Sequence, residues 1–342
     1  MNFIYFIKKM SLCLFLIIIA GFVLLFSDGG NLNSGGKNGN LKTGMLKFVI
    51  IEYSDAPISE ESRAGILDGL SANGFKADRD YVLRSFKAHG DVTVLNGIID
   101  SAASLNCDII FTISTPALQA ALKKIKNVPI VFASAGDPIG AGAGKSFTDH
   151  AENVTGISSM SDFEGMINVL KETMPEAKKI GTIFTPSEIN SVFYKNEFEK
   201  AAKKNNIELV AVPVTASSEI IEASMNLCSK NIAAICQIVD NITAPSFATI
   251  VKTASNSKIP VLGFGSTNVK DGAILAYARD YHQCGADAAK LAVRILKGER
   301  PANIPFEYIS KTDLSINKKA FKANNITLKS ELLKKAVKVL GE

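Results

Sequence analysis

The sequence contains no tryptophan, three histidines and five cysteines among 342 residues. His89, His150 and His282 are too scattered for a metal pair, and neither a Gly-x-Ser-x-Gly elbow, a Walker loop nor a Gly-x-Gly-x-x-Gly after the first strand is present. Nucleophilic, metal-assisted and dinucleotide-dependent catalysis therefore lack a signature, and no enzyme activity, cofactor or metal is expected. The cysteines show no metal spacing: Cys13 lies in an N-terminal apolar run, Cys107 and Cys236 at or in strands, Cys228 and Cys284 in helices. Free thiols are expected; a Cys228–Cys236 bridge is open on sequence, although a helix end and the next strand seldom align for one. Basic clusters interleaved with aromatics are also missing. The net charge of +5 comes from lysines spread over helical stretches such as Lys200, Lys203 and Lys204, a solvated-face pattern that argues against nucleic acid as a partner.

What is present begins with a membrane device. Lys8 and Lys9 precede an apolar run from Leu12 to Phe26, broken by Ser27, Asp28, Gly29 and Gly30. The run suits export, and its length leaves a signal peptide and an uncleaved anchor both open. No Ala-x-Ala cleavage site follows, which tilts the reading toward an anchor with the lysines on the cytoplasmic side. Residues 27–45, rich in Gly, Asn, Ser and Lys, read as a flexible linker.

From Leu46 the chain alternates strand and helix, and the second half repeats the first: the β-α-β unit from Cys107 to Pro138 is answered by one from Ala233 to Thr267. The predicted fold class is α/β, two similar Rossmann-like lobes with parallel sheets joined by a multi-strand hinge. Lobe 1 is expected over 46–157 plus about 282–312, and lobe 2 over 158–281 plus about 313–342. Among the elements, Asp91 caps a helix through Leu105, a helix starts at Pro116, Phe306–Ser310 returns as a strand to the first lobe, and Leu328–Leu340 closes the chain.

The segments IIFTISTPALQAA, VPIVFASAGDPIGAG, NVTGIS, MPEAKKIGTIFTPSEINS, QIVDN, KIPVLGF and LKGERPANIP, in this order between Leu46 and Ser315, together resemble the substrate-binding proteins of bacterial ABC importers, in the subfamily known for aromatic amino acid binding. The resemblance implies a type I periplasmic-binding fold, no catalysis, an extracytoplasmic location, and delivery of a small molecule to ABC permease and ATPase subunits. One departure stands out. Many members carry a lipid-modified Cys after a Leu-x-Ala-Gly-like stretch, whereas this chain runs Ile18, Ile19, Ala20, Gly21 and then Phe22. The alternative function is a membrane-anchored sensing domain that signals to a partner protein.

A zwitterionic ligand needs donors for its carboxylate and an acceptor for its ammonium, because an unpaired buried charge is costly. Ser114 and Thr115, at a helix start, are candidates for the carboxylate; Asp240, with Asn241 beside it in the matching turn of the second lobe, is the first choice for the ammonium. Asp137 in AGDPIGAG ends another strand. Glu188, Asn190 and Ser191 lie at the SEINS turn, Tyr53 offers an aromatic wall, and Asp280 is a helix cap that could also touch ligand. Each has a bland alternative: N-caps for Ser114, Thr115, Asp240, Asn190, Ser191 and Asp280, turn chemistry for Asp137. Phe264 and Tyr281 are weaker aromatic candidates, Thr155 and Gly156 lie near the hinge, and Ser266 stands where relatives often carry an acid.

Overall fold

The computed structural model describes residues 44–341; the apolar run at 1–26, Cys13 and the linker up to Thr43 lie outside the described residues. Five strands, β1 (Leu46–Glu52), β2 (Tyr81–Lys87), β3 (Ile109–Ile113), β4 (Ile130–Ala135) and β5 (Val154–Ser158), build the first sheet with the short β11 (Glu307–Tyr308). Its order is β11-β5-β4-β3-β1-β2, and every pairing is parallel. Parallel strands must be joined by crossovers, here α1 (Pro57–Ala72), α2 (Val92–Ser104) and α3 (Thr115–Lys124). Asp91 caps α2 through the amides of Thr93 and Val94, as its position before an apolar-periodic stretch predicts.

The second sheet repeats this winding. It is entered through α4 (Phe163–Thr173) and contains β6 (Lys179–Phe184), β7 (Glu208–Pro213), β8 (Ala234–Gln237), β9 (Val261–Gly263) and β10 (Leu275–Arg279), with α5 (Ile189–Lys204), α6 (Ile220–Cys228) and α7 (Phe247–Asn256) between the strands up to β9. The order β7-β6-β8-β9-β10 matches β2-β1-β3-β4-β5, so the internal repeat in the sequence is a repeat of topology. The edge differs: β12 (Thr312–Asn317) runs antiparallel to β10, and β13 (Lys338–Leu340) pairs parallel with β12.

Both sheets are covered on two faces, which is why their strands read as apolar runs rather than alternating ones. In β1, Val49 and Ile51 pack beside Leu95 and Leu118 from α2 and α3. Phe48 and Ile50 pack on the opposite face beside Ile66 and Leu70 of α1 and Cys284, Ala288 and Ala292 of α8 (Tyr281–Leu296). That helix follows the second sheet in the chain yet completes the core of the first. It meets α1 along small residues: a Cβ on Gly65 would lie 1.9 Å from the His282 carbonyl oxygen, and one on Gly285 would lie 2.0 Å from that of Ser62.

The chain passes between the two sheets three times, after β5, after β10 and between β11 and β12. Arg279 ties these passages together. Its Nε donates to the Met160 carbonyl at 2.8 Å and its Nη1 to Thr312 Oγ1 at 2.7 Å. Near the hinge, Thr155 Oγ1 donates to the Ile304 carbonyl at 2.8 Å.

The closing segment Leu328–Leu340 resolves into a six-residue helix, α10 (Ser330–Lys335), followed by β13, whose Lys-Val-Leu finds an open strand edge on β12 and pairs there; α9 (Lys318–Ala323) and β12 were not foreseen. Cys228 and Cys236 are free thiols, as are Cys107 and Cys284. Cys236 sits wholly buried in β8, while Cys228 ends α6 half-buried.

Candidate functional site

The carboxyl ends of the strands in both sheets face one cleft, where open α/β sheets place their ligands. On the first sheet the turn from β3 into α3 carries Ser114 and Thr115. Ser114 has φ 89° and ψ 158°, a conformation that is essentially glycine's and costs about 1–3 kcal/mol for another residue. Its backbone amide donates to the Ala133 carbonyl at 3.2 Å, yet its hydroxyl is buried without a partner. Its side chain therefore does not cap α3, although Ser114 stands at the N-cap position. Thr115 Oγ1 accepts from the Gly136 amide at 3.0 Å, tying two strand ends together.

On the second sheet, Asp240 follows β8 and is buried. Its Oδ1 accepts from the Thr243 amide at 2.7 Å, from the Thr243 hydroxyl at 2.7 Å and from the Ile242 amide at 3.2 Å. Its Oδ2 accepts from Ser191 Oγ at 2.7 Å, and that hydroxyl in turn accepts from the Thr185 amide at 2.8 Å. Asp240 thus organises a turn rather than capping α7, which starts at Phe247, and Ser191 supports it from below. Glu188 accepts on Oε2 from the Asn241 amide and side chain, at 3.1 and 2.6 Å, and from Asn190 Nδ2 at 3.1 Å. Burial, with the nearby Asp240 charge, pushes the Glu188 carboxyl up to about 7. The Asn190 Oδ1 is buried without a partner.

Two adjoining spaces lie between the sheets. The inner nook, about 30 Å³, is walled by Ser114, Thr115, Asn190, Asp240 and Asn241, closed at its end by Tyr194 and Tyr281. The outer trough, about 380 Å³, shares Thr115, Asn190 and Asn241 and adds Tyr53, Glu188 and Gln119. The Tyr53 ring is held by a bond from its hydroxyl to the Gly90 carbonyl at 2.8 Å, and its burial and Glu188 push its pKa up. Both orphaned atoms, Ser114 Oγ from one sheet and Asn190 Oδ1 from the other, belong to walls of the same nook.

The remaining candidates sit elsewhere. Asp137 holds its own turn through the Gly140 amide at 2.8 Å and lines neither the nook nor the trough. Asp280 caps α8, pairs with Lys311 at 3.1 Å and borders a separate cavity of about 300 Å³ beside Glu61 and Arg279. Phe264 lies in the core among Phe163 and Phe198. Ser266 Oγ donates to Glu61 Oε2 across the cleft at 2.6 Å.

Some residues at the cleft escape a reading of the sequence. Ser54 donates to Asn241 Oδ1 at 3.1 Å and so joins the sheets. Tyr194 reaches from α5 to donate to the Ser159 carbonyl at 2.7 Å, and burial raises its pKa far above the ordinary tyrosine value. In the sequence Tyr194 reads as one more core position on a helix; only the apposition of two strand-end turns brings it to the nook.

A two-lobed α/β chain with a polar nook between strand ends, and walls from both sheets, is a solute-binding protein of the type I periplasmic class. The chain matches the family described as "ABC transporter substrate binding protein" over residues 48–340, and it belongs to that family. This is a family of extracytoplasmic solute binders rather than enzymes. The chain is 31% identical over 320 residues to a "Tyrosine-binding protein" from Clostridioides difficile, covering 92% of each. Among solved structures it is similar to an ABC domain in complex with L-Trp from Streptococcus pneumonia, at 29% identity, 86% of this chain, 100% of that one and a TM-score of 0.83. Against the ligand-free, open structure of a substrate binding protein from Clostridium difficile, also 29% identical and covering 87% and 100%, the TM-score is 0.69. Solved sugar-binding proteins at 13–15% identity share the fold alone, with TM-scores of 0.57 to 0.61.

Proposed function

We propose that the protein captures an aromatic amino acid in the nook and trough and hands it to a membrane permease driven by an ATPase. One observation carries this reading: two buried, unpartnered polar atoms from opposite sheets meet in a space for about two water-sized groups. A buried polar atom without a partner costs about 1–3 kcal/mol, so this arrangement favours a ligand that supplies one. An α-amino acid head presents two charged groups of that size. Its carboxylate takes the Ser114 hydroxyl and the unpaired amides at the positive end of α3. Its ammonium takes Asn190 Oδ1 and the Asp240 carboxylate, whose burial favours a positive partner. Tyr53 gives the side chain an aromatic wall. The named ligands of the two relatives, tyrosine and L-Trp, support this class.

On this reading the lobes are 46–157 with about 282–312, and 158–281 with about 313–342, and they close over the ligand about the three passages. Residues 1–26 hold the protein on the outer face of the membrane as an anchor, since neither an Ala-x-Ala cleavage site follows the apolar run nor a lipidation cysteine follows Gly21.

The test is thermal unfolding of residues 46–342 against amino acids, sugars and nucleosides. A binder at 100 times its dissociation constant adds about 2.7 kcal/mol of stability. A shift with Phe, Tyr or Trp that vanishes in both Ser114→Ala and Asn190→Ala is the expected result. Shifts only with sugars or nucleosides overturn the ligand class.

A further inference from the structure

The trough has a direction. Thr115, Pro116, Gln119, Ala120 and Lys123 border it, and this i, i+1, i+4, i+5, i+8 spacing is one face of α3. The trough therefore runs along the helix, away from the nook that Thr115 shares. Its near walls include Tyr53, Leu95 and Ile189, which suit a flat apolar ring. Gln119 follows Thr115 by four residues, about 6 Å along the axis at 1.5 Å per residue, which is roughly the reach of a phenol oxygen from its α-carbon. The Gln119 side chain is half-buried and makes no hydrogen bond within the described residues, so its amide offers an unused donor and an unused acceptor.

We infer that Gln119 is a specificity-determining residue, and that the trough selects an aromatic amino acid whose ring bears a hydroxyl at its far end over one with a plain phenyl ring. This rests on the proposed placing of the amino acid head in the nook. The phenol O–H donates to the Gln119 carbonyl oxygen and its oxygen accepts from the amide nitrogen. A phenyl ring leaves both groups facing the ring without a partner. Sites that hydrogen-bond a ligand hydroxyl discriminate against its absence more strongly than apolar pockets discriminate by size.

Isothermal titration of residues 46–342 with Tyr and with Phe tests this, in the natural sequence and in Gln119→Leu. The expected result is a preference for Tyr of about tenfold or more, the equivalent of one good hydrogen bond at about 1.4 kcal/mol, that falls to near unity in Gln119→Leu by loss of Tyr affinity alone. Gln119→Glu, which keeps an acceptor, retains part of the preference. If both amino acids bind and the Tyr-to-Phe ratio is unchanged by Gln119→Leu, the inference fails while the amino acid reading stands. If neither binds to a natural-sequence protein with a normal melting transition, both fail.

Discussion

A few residues of the cleft are held in states that a folded chain ordinarily avoids. Ser114 occupies glycine's region of backbone space, and Glu188 is a buried acid beside a second acid, Asp240. The Glu188 carboxyl, raised from its ordinary 4.5 to about 7, binds a proton more tightly in the folded than in the unfolded chain. Between these two values the folded state carries the extra proton, so stability falls as pH rises. The unliganded protein is expected to be most favoured below about pH 4.5 as far as this group is concerned, and to lose that contribution through pH 7. At about 1.4 kcal/mol per unit the loss is a few kcal/mol at most. Urea unfolding midpoints at pH 5 and pH 8 measure it, and Glu188→Gln should flatten the difference; an unchanged slope in that variant would place the effect on another group. None of this was legible in the chain. SEINS showed a strand-to-helix turn with polar residues, but the proximity of Glu188 to Asp240 depends on two turns about fifty positions apart meeting in space.

At the scale of elements, alternation told most of the story. Strands such as KFVII and helix stops such as Gly74 and Gly298 are local signals, and each β-α-β unit had enough of them to be read. What was not read lies where tertiary pairing decides, as in the tail, whose strand β13 pairs with the edge that β12 leaves. The joint between α1 and α8 is the opposite case. Gly65 and Gly69 are four residues apart, as are Gly285 and Ala289, a spacing that lets two helices approach closely, but it gains meaning only when the partner is known. Gly65→Ala should cost about 3 kcal/mol or more, because the new methyl meets a backbone carbonyl that cannot rotate away. Guanidinium unfolding would read it; a loss below 1 kcal/mol would mean that the helices slide apart easily.

For the molecule as a whole, one close approach at the inner end of the cleft bears on closure. A Cβ on Gly136, at the end of β4, would stand 2.7 Å from the ring of Tyr194, which reaches over from α5. Gly136→Ala should leave each sheet and its helices intact yet prop the cleft open at its inner end. Small-angle scattering in the presence of saturating ligand should then show a larger radius of gyration than for the natural sequence, and affinity should fall by about tenfold or more, about 1.4 kcal/mol. Equal compaction in both proteins would show that Tyr194 yields to the methyl group.

The first sheet borrows α8 from beyond the second, and this separates the order of synthesis from the order of completion. A ribosome finishes β1 to β5 long before it makes residues 281–296, and until that helix arrives the face formed by Phe48, Ile50 and Phe111 has only α1 to cover it. The half of the protein made earliest cannot complete its core early. For a chain whose N-terminal apolar run suits export, such a delay would favour a first sheet not yet fully packed while the chain is threaded across a membrane.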